Sequence, residues 1–184
     1  MRVTAGDLKG RRFRTPKGRR TRPTADQVRI ALMDSLAPWL PGARFLDLFA
    51  GAGGVGIEAL SRGAAEAVFV ETDAAALRAL TENLAALDLR SRGRILRQDA
   101  GKAIDRLARD GERFRLIFLD PPYAALEVLT TLDRLGAGEI LEPRGLVLVQ
   151  HMTKASLPES AGVLSRVKTR RFGETTLTFF RSGE

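Results

Sequence analysis

The chain has 184 residues, a length that suits one ordinary domain with room for a short additional segment. Apolar residues make up 44% of it, which is enough for a sizeable core and excludes a chain that is disordered throughout. It contains no cysteine, so disulfides, thiolate zinc sites and thiol nucleophiles are excluded. No apolar run reaches the length of a membrane span, and we expect a cytoplasmic protein without a secretion signal.

The net charge of +8 is concentrated at the N-terminus. Residues 1–30 contain 10 basic and 2 acidic residues, whereas residues 31–184 contain 20 of each sign. A basic segment of this kind favours a polyanionic partner, and on charge alone a solvated tail fits equally well. The residues that we single out for contact with a polyanion are Arg11, Arg12, Arg14, Arg19, Arg20, Arg22 and Thr24.

The first 40 residues differ in pattern from the rest of the chain. Two short extended segments, Arg2–Ala5 and Arg11–Arg14, flank a glycine-containing turn and predict a small basic hairpin. A helix is then predicted over Ala25–Leu36, with Thr24 as its N-cap. We therefore expect residues 1–40 to form a basic appendage.

Residues 41–184 alternate between short apolar runs and helix-length amphipathic stretches, and we expect them to form the main domain. Several of the apolar runs are continuous, as in parallel strands that are covered on both faces. The alternation predicts a mostly parallel, Rossmann-like α/β sheet, with an antiparallel C-terminal hairpin around Gly173-Glu174. The predicted parallel strands are Phe45–Phe49, Ala67–Glu71, Arg94–Arg97, Leu116–Leu119 and Leu146–Gln150.

A glycine-rich loop follows the first predicted strand. Gly51, Gly53 and Gly56 have the GxGxxG spacing, which lets the backbone approach a ligand closely at a helix N-terminus. The spacing alone fits a dinucleotide site or a tight turn as well. No GKS or GKT sequence occurs, so a Walker phosphate loop is excluded.

Acidic residues at the ends of three predicted strands help to choose between ligands. Glu71 lies about twenty residues after Gly51, where a carboxylate can bind a ribose diol in either kind of site. Asp47 lies just before the glycines, where it would repel a pyrophosphate but suits the positive charges of S-adenosylmethionine. Asp99 follows the third strand and can accept a hydrogen bond from an adenine amine, or equally serve as a helix N-cap. The three acids favour S-adenosylmethionine at the carboxyl edge of the sheet.

The tetrapeptide Asp120-Pro121-Pro122-Tyr123 directly follows the fourth predicted strand. Its prolines stiffen the backbone and can leave the Pro121 carbonyl beside the Asp120 carboxylate. Such a pair of acceptors can bind the protons of an aromatic amine and turn its lone pair towards a methyl donor, while Tyr123 stacks on a flipped base. A Pro-Pro turn is common in itself, so its meaning depends on the neighbouring glycine loop and acids. Because the chain has no thiol, the covalent route to C5 methylation is excluded and nitrogen methylation is favoured.

These residues resemble the class I methyltransferases, and among them the bacterial 16S rRNA guanine-N2 methyltransferases that modify the guanine conventionally numbered 966. The likeness covers nearly the whole chain. The combination of stretches is more specific than the tetrapeptide alone, which fits many amino-methyltransferases. The stretches are Gly10-Arg11-Arg12, Arg22-Pro23-Thr24, Asp47-Leu48-Phe49-Ala50-Gly51, Glu58-Ala59-Leu60-Ser61-Arg62-Gly63-Ala64, Asp120-Pro121-Pro122-Tyr123 and Phe172-Gly173-Glu174-Thr175.

The resemblance implies a role for each group of residues. It assigns the target amine to Asp120, Pro121, Pro122 and Tyr123, and it makes RNA the polyanion that the N-terminal basic residues contact. It further implies a monomer without a metal that acts on 16S rRNA or on the small ribosomal subunit. The residues expected to bind S-adenosylmethionine are Asp47, Phe49, Ala50, Gly51, Gly53, Glu71, Asp99 and Ala100.

The chain departs from the family's pattern at Ile30, Met33, Ala52 and Gln150, none of which belongs to the expected amine site. We do not assign His151, the only histidine, as a base, because a methylated aromatic amine loses its proton readily. Two other functions stay open. One is a DNA amino-methyltransferase acting on adenine N6 or cytosine N4, which usually carries a separate recognition domain. The other is a non-catalytic RNA-binding protein that keeps the fold, against which the intact tetrapeptide argues.

Overall fold

A mixed sheet flanked by helices organises the chain in the computed structural model, which describes residues 1–15, 23–121 and 125–183. The helices are α1 (Pro23–Leu36), α2 (Gly54–Ser61), α3 (Ala74–Ala86), α4 (Ala100–Arg109) and α5 (Ala125–Gly136). The strands are β1 (Arg44–Asp47), β2 (Glu66–Val70), β3 (Gly93–Leu96), β4 (Phe114–Leu119), β5 (Leu141–Met152), β6 (Ser160–Ala161), β7 (Leu164–Phe172) and β8 (Thr175–Ser182). None of the described helices is both long and apolar enough to cross a membrane.

The strand order in the sheet is β3-β2-β1-β4-β5-β8-β7-β6. Strands β1 to β5 pair in parallel, whereas β8 is antiparallel to β5 and β7 is antiparallel to β8. The predicted α/β sheet with an antiparallel C-terminal hairpin is therefore confirmed. The order reverses between β1 and β4, and the crevice at such a switch point is where open α/β sheets bind ligands.

The two faces of the sheet carry separate apolar clusters. Phe45, Phe69 and Phe118 are buried on the face covered by α1, α2 and α3. Their strand neighbours Leu46 and Val68 point to the other face, which α4 and α5 cover. Burial on both faces explains why the parallel strands are continuous apolar runs rather than alternating ones. It also fixes the register, because a slip of one residue would exchange the two clusters.

The predicted N-terminal hairpin is present as a short antiparallel pairing. The amide of Val3 donates to the carbonyl of Arg11 over 3.0 Å, and Arg2 and Arg12 form an isolated β-bridge. Val3 and Phe13 are buried in the same cluster as the apolar faces of α1, α2 and α3. The N-terminal segment that the sequence marks as an appendage thus shares its core with the sheet.

A buried carboxylate fastens this hairpin to α2. Glu58 is fully buried and accepts hydrogen bonds from the amides of Thr4 and Ala5, each at 3.0 Å. The guanidinium of Arg62 also donates to it over 3.0 Å. A buried charge needs such partners, because an unpaired one carries a large desolvation penalty. The hairpin is therefore held by charge-assisted bonds as well as by its two buried apolar side chains.

Helix α1 begins earlier than the sequence predicts. It starts at Pro23, so Thr24 lies in the first turn and the prediction of Thr24 as the N-cap is wrong. Proline suits the first helical position, because the missing N–H has no partner there in any case and its φ is already helical. The apolar face is as expected, with Val28, Leu32 and Leu36 buried.

Candidate active site

Three acidic residues meet where the sheet order reverses. Asp47 ends β1, Glu71 directly follows β2 and Asp120 directly follows β4. The negative charges of Asp120 and Glu71 both raise the pKa of Asp47, so the three carboxylates are close enough to interact. The sequence predicts Asp47 and Glu71 at one edge of the sheet together with Asp99, because the carboxyl ends of parallel strands share that edge. The structure adds Asp120 to this group, whereas Asp99 is not among the acids that shift the pKa of Asp47.

Asp47 is buried with one oxygen unpaired. Its exposed fraction is 1%, and Oδ2 accepts a hydrogen bond from the amide of Gly56 over 3.2 Å, whereas Oδ1 has no partner. Burial raises the pKa of Asp47 to about 7, and the amide of Gly56 opposes this shift. A cation placed against Oδ1 would supply the missing partner and favour the charged form.

The glycine loop links β1 to α2 as the sequence predicts. Gly51 and Gly53 have φ values of 55° and 88°, a region that residues with a side chain rarely adopt. The amide of Gly53 closes the turn by donating to the carbonyl of Ala50 over 2.8 Å. A Cβ atom on Gly56 would lie 2.3 Å from the ring of Phe69, so only glycine lets α2 pack this closely on β2. The loop therefore offers bare backbone at a helix N-terminus.

Glu71 ties the glycine loop to β2 through backbone amides. Its Oε2 accepts from the amide of Gly51 over 2.8 Å. Its Oε1 accepts from the amides of Thr72 and Asp73 over 2.7 and 2.8 Å. An ionised carboxylate has about four acceptor sites, so three of them are engaged here. A ribose diol would take the remaining site and share or replace the bond from Gly51.

Asp99 caps α4, one of its two predicted roles. It accepts from the amide of Lys102 over 2.9 Å, and this bond lowers the pKa of Asp99. Its side chain is half exposed, and the other oxygen lies 3.5 Å from the ammonium of Lys102. Ala100, the first residue of α4, is buried. The structure brings Asp99 to the same edge of the sheet as the other acids, while its contact with adenine stays a prediction.

Asp120 is exposed and contacts the neighbouring strand. The side-chain amide of Gln150 donates to Asp120 Oδ2 over 3.3 Å. The register explains this contact, because Leu119 of β4 lies opposite Val149 of β5 and the next pair along is Asp120 and Gln150. Sequence reasoning noted Gln150 only as a departure from the family's pattern, since the register of two distant strands is not written in either one.

Only half of the tetrapeptide falls within the described residues. Pro121 is half-buried and continues directly from Asp120. Pro122 and Tyr123 lie outside the described residues, as does the prediction that Tyr123 stacks on a base.

His151 is occupied by structural contacts. Its Nδ1 lies 2.9 Å from the carbonyl oxygen of Met152, to which it can only donate. Its Nε2 lies 2.8 Å from the hydroxyl of Thr178. Burial lowers the pKa of His151, which favours the neutral ring. Both ring nitrogens are thus engaged, as fits a residue that is not assigned as a base.

The basic residues of the N-terminal segment differ in their contacts. Arg11 donates to the carbonyl of Ala86 over 2.8 Å, and Arg14 pairs with Glu82 over 2.8 Å. Arg12 is exposed. The other predicted RNA contacts, Arg19, Arg20, Arg22 and the side chain of Thr24, lie outside the described residues.

Nearly the whole chain is similar to known proteins. The family model described as "Conserved hypothetical protein 95" matches residues 1–181. "Putative rRNA methyltransferase YlbH" of Bacillus subtilis is 37% identical over 181 residues, which is 98% of this chain and 98% of that protein. "Ribosomal RNA small subunit methyltransferase D" of Escherichia coli K12 is 35% identical over 158 residues, which is 86% of this chain and 78% of that protein.

Solved structures share the fold. "Putative methyltransferase yhhF from Escherichia coli" has a TM-score of 0.87 and 32% identity, covering 100% of this chain and 98% of that one. A second match is "T. Thermophilus 16S rRNA N2 G1207 methyltransferase (RsmC) in complex with AdoMet and Guanosine". Its TM-score is 0.71 at 25% identity, covering 91% of this chain and 45% of that one. The sheet described above is therefore a methyltransferase fold.

Proposed function

Because the chain belongs to the family described as Conserved hypothetical protein 95 and is similar to proteins named as rRNA methyltransferases, we propose a specific reaction for it. It transfers a methyl group from S-adenosylmethionine to the exocyclic N2 amine of a guanine in 16S rRNA, of the type conventionally numbered 966. The broader statement, that it is an rRNA methyltransferase dependent on S-adenosylmethionine, rests on its relatives and structural neighbours. The meeting of Asp47, Glu71 and Asp120 at the switch point is the observation that carries the proposal.

The unpaired oxygen of Asp47 fits S-adenosylmethionine better than a dinucleotide. When bound, S-adenosylmethionine supplies an electrophilic methyl group on a positively charged sulfur. Asp47 Oδ1 is buried and lacks a partner, and the ammonium of the methionine moiety is the donor that it lacks. A pyrophosphate at the same place would meet three carboxylates, and the described loop from Phe49 to Gly56 contains no lysine, so its binding is unfavourable.

The rest of the cofactor site follows from the strand ends. Backbone amides hold Glu71 in a fixed orientation, in which its carboxylate accepts hydrogen bonds from the ribose hydroxyls. Asp99 accepts from the adenine amine through the oxygen that does not cap α4. The bare backbone at Gly51 and Gly53 lets the methionine moiety lie against the loop. Phe49, Ala50 and Ala100 border the same edge of the sheet.

Asp120 and the carbonyl of Pro121 act on the target amine. Each accepts a hydrogen bond from one of the two N–H groups of the guanine N2 amine, which draws the nitrogen from planar towards tetrahedral geometry and frees its lone pair. S-adenosylmethionine, when bound, would supply its methyl group to this lone pair, with breakage of its carbon–sulfur bond. The amine would then give up one proton to Asp120 or to water. Gln150 restrains the Asp120 carboxylate during this step through its hydrogen bond at 3.3 Å.

The product identifies the reaction. Purified protein is incubated with methyl-labelled S-adenosylmethionine and either transcribed 16S rRNA or isolated small subunits, and the RNA is digested to nucleosides. We expect label in N2-methylguanosine from at least one substrate, and the two arms report whether RNA or the particle is preferred. Label in N6-methyladenosine, or binding of S-adenosylmethionine without transfer to either substrate, would contradict the proposal.

A further inference from the structure

Strand β7 carries a cluster of basic side chains, although residues 31–184 as a whole have a net charge of zero. Between Leu164 and Ser182 the chain has 5 basic residues and a single acidic one, Glu174. Arg166 is paired with Glu159. The other four form no ion pair within the described part of the chain. They are Lys168, Arg170, Arg171 and Arg181.

Three of these four cations are exposed near the C-terminal end of β7. We call Lys168, Arg170, Arg171 and Phe172 the β7 patch; its three cations are exposed and Phe172 is half-buried. The guanidinium carbon of Arg170 lies 5.6 Å from the ring centre of Phe172, and Arg170 also donates to the hydroxyl of Ser35 over 2.9 Å. A guanidinium that rests on a ring keeps most of its N–H donors free at its edge. These neutral contacts orient Arg170 without neutralising it.

The β7 patch lies at the same edge of the sheet as the candidate active site. Because β7 and β5 are both antiparallel to β8, they run in the same direction and their carboxyl ends share that edge. In the register, Arg170 lies opposite Leu177, and Leu177 lies opposite Gln150, which contacts Asp120. Two strand spacings separate Arg170 from Gln150, or roughly 10 Å between backbones.

We propose that the β7 patch binds the phosphates of the RNA strand that carries the target base. The inference rests on the proposed function. It adds a docking surface on the side of the active site where the C-terminal hairpin of β7 and β8 lies. Lys168 and Arg170 rest on Phe179 and Phe172 on one face of the strand, and Arg171 extends from the other face, so cations without an ion-pair partner surround this end of β7 and complement a polyanion. Phe172 packs against the core and positions Arg170. The N-terminal hairpin packs against α3 on the other side of the switch point, through Arg11 and Arg14. The target base is thus inserted between two basic surfaces.

The test compares two triple variants with the same loss of charge. In one, Lys168, Arg170 and Arg171 are replaced by serine. The control replaces three exposed arginines with serine at the amino ends of the parallel strands, opposite the candidate active site. They are Arg90, Arg106 and Arg109. Binding to transcribed 16S rRNA and to small subunits is measured from about 50 to 200 mM salt, with S-adenosylmethionine affinity and melting temperature as checks on folding.

We expect the β7 variant to lose on the order of tenfold or more in RNA affinity at about 100 mM salt, with a log–log salt slope flatter by about 2. The control variant should stay close to the wild type, and both variants should bind S-adenosylmethionine normally. Equal behaviour of the two variants would overturn the patch while leaving the proposed function intact. A defect confined to the particle, with free RNA bound normally, would also overturn it and point to a protein contact. If the wild type neither binds nor methylates either substrate, the proposed function itself fails.

Discussion

The two halves of the candidate active site are built differently. On the cofactor side, Asp47 is fully buried and Glu71 is bound by three backbone amides, so both carboxylates belong to the framework of the sheet. On the target side, Asp120 is exposed and the side-chain amide of Gln150 reaches it over 3.3 Å. If these are the cofactor site and the target site that we propose, the rigid first half suits a small ligand that binds first, and the open second half suits a large ligand that docks afterwards. Changes on the two sides should therefore separate cofactor affinity from turnover.

The largest effect is expected on the target side. Replacing Asp120 with alanine should lower single-turnover methyl transfer by about 100-fold or more, because the amine loses an acceptor that acts in the transition state. The affinity for S-adenosylmethionine, measured by titration calorimetry, should change little. Gln150→Ala serves as a control that leaves the carboxylate and removes only its restraint, so we expect a smaller loss. Wild-type turnover in the alanine variant would remove Asp120 from the amine site.

On the cofactor side, Glu71→Ala should weaken S-adenosylmethionine binding by roughly 10- to 100-fold, because the ribose hydroxyls lose a charged acceptor. A control is needed because Glu71 also accepts hydrogen bonds from backbone amides, so its loss could change the local structure as well as the ligand contact. Asp73→Ala removes the N-cap of α3, to which Ala76 donates over 2.8 Å, but no ribose contact. That control should lower stability by about 1 kcal/mol and leave the affinity unchanged. An equal loss of affinity in both variants would mean that the effect is structural.

Cofactor affinity should depend on pH through Asp47. Burial raises the pKa of Asp47 to about 7, so below this pH the ligand-free protein carries a proton on Asp47. A cationic ligand must displace that proton in order to bind. Affinity for S-adenosylmethionine should therefore rise with pH, approaching about tenfold per pH unit below 7 and levelling off above it. Asp47→Asn should flatten this profile, whereas Asp99→Asn should keep it, because the pKa of Asp99 is lowered. A wild-type affinity that is constant from about pH 5.5 to 7.5 would contradict a role for Asp47 in binding a cation.

The same carboxylate should affect stability in the opposite direction. Because the folded state raises the pKa of Asp47 above 3.8, the folded protein binds more protons than the unfolded chain between about pH 4 and 7. Its contribution to stability is therefore lost as the pH rises through this window. S-adenosylmethionine should restore stability most at the upper end of the window.

A smaller effect is expected from the packing of the loop helix. Gly56→Ala would place a methyl group 2.3 Å from the ring of Phe69, so we expect a loss of about 1–3 kcal/mol and a melting temperature lower by several degrees. Gly183→Ala is the matched control, since nothing lies within 4 Å of its added methyl group. Thermal unfolding followed by circular dichroism distinguishes them. If the two variants have the same melting temperature, the close packing of α2 on β2 does not depend on Gly56.

The parts of the molecule that local pattern determines could be predicted from the sequence. Continuous apolar runs identified the parallel strands, and the glycine spacing located the strand–turn–helix at Asp47 to Gly56. Because parallel strands share one carboxyl edge, the strand-end positions of Asp47 and Glu71 were enough to predict that these two acids lie close together, whereas the approach of Asp120 to Asp47 was not predicted.

What depends on tertiary contacts could not be predicted. The N-terminal hairpin looked like a separate appendage, since nothing in its sequence tells that Val3 and Phe13 pack into the main core. The contact of Gln150 with Asp120 needs the register of two strands that are distant in sequence. The β7 patch was missed for another reason, because a summed charge of zero says nothing about how the two signs are distributed over the surface. The start of α1 at Pro23 rather than at Ala25 is a local error of two residues.

The most direct test is the methylation state of 16S rRNA in cells that lack this protein. The RNA is digested with and without the gene, and N2-methylguanosine at the position numbered 966 is measured by mass spectrometry. We predict that the modification disappears in the deletion strain, returns with the wild-type gene and does not return with the Asp120→Ala variant. Unchanged N2-methylguanosine in the deletion strain, or full restoration by the variant, would contradict the account.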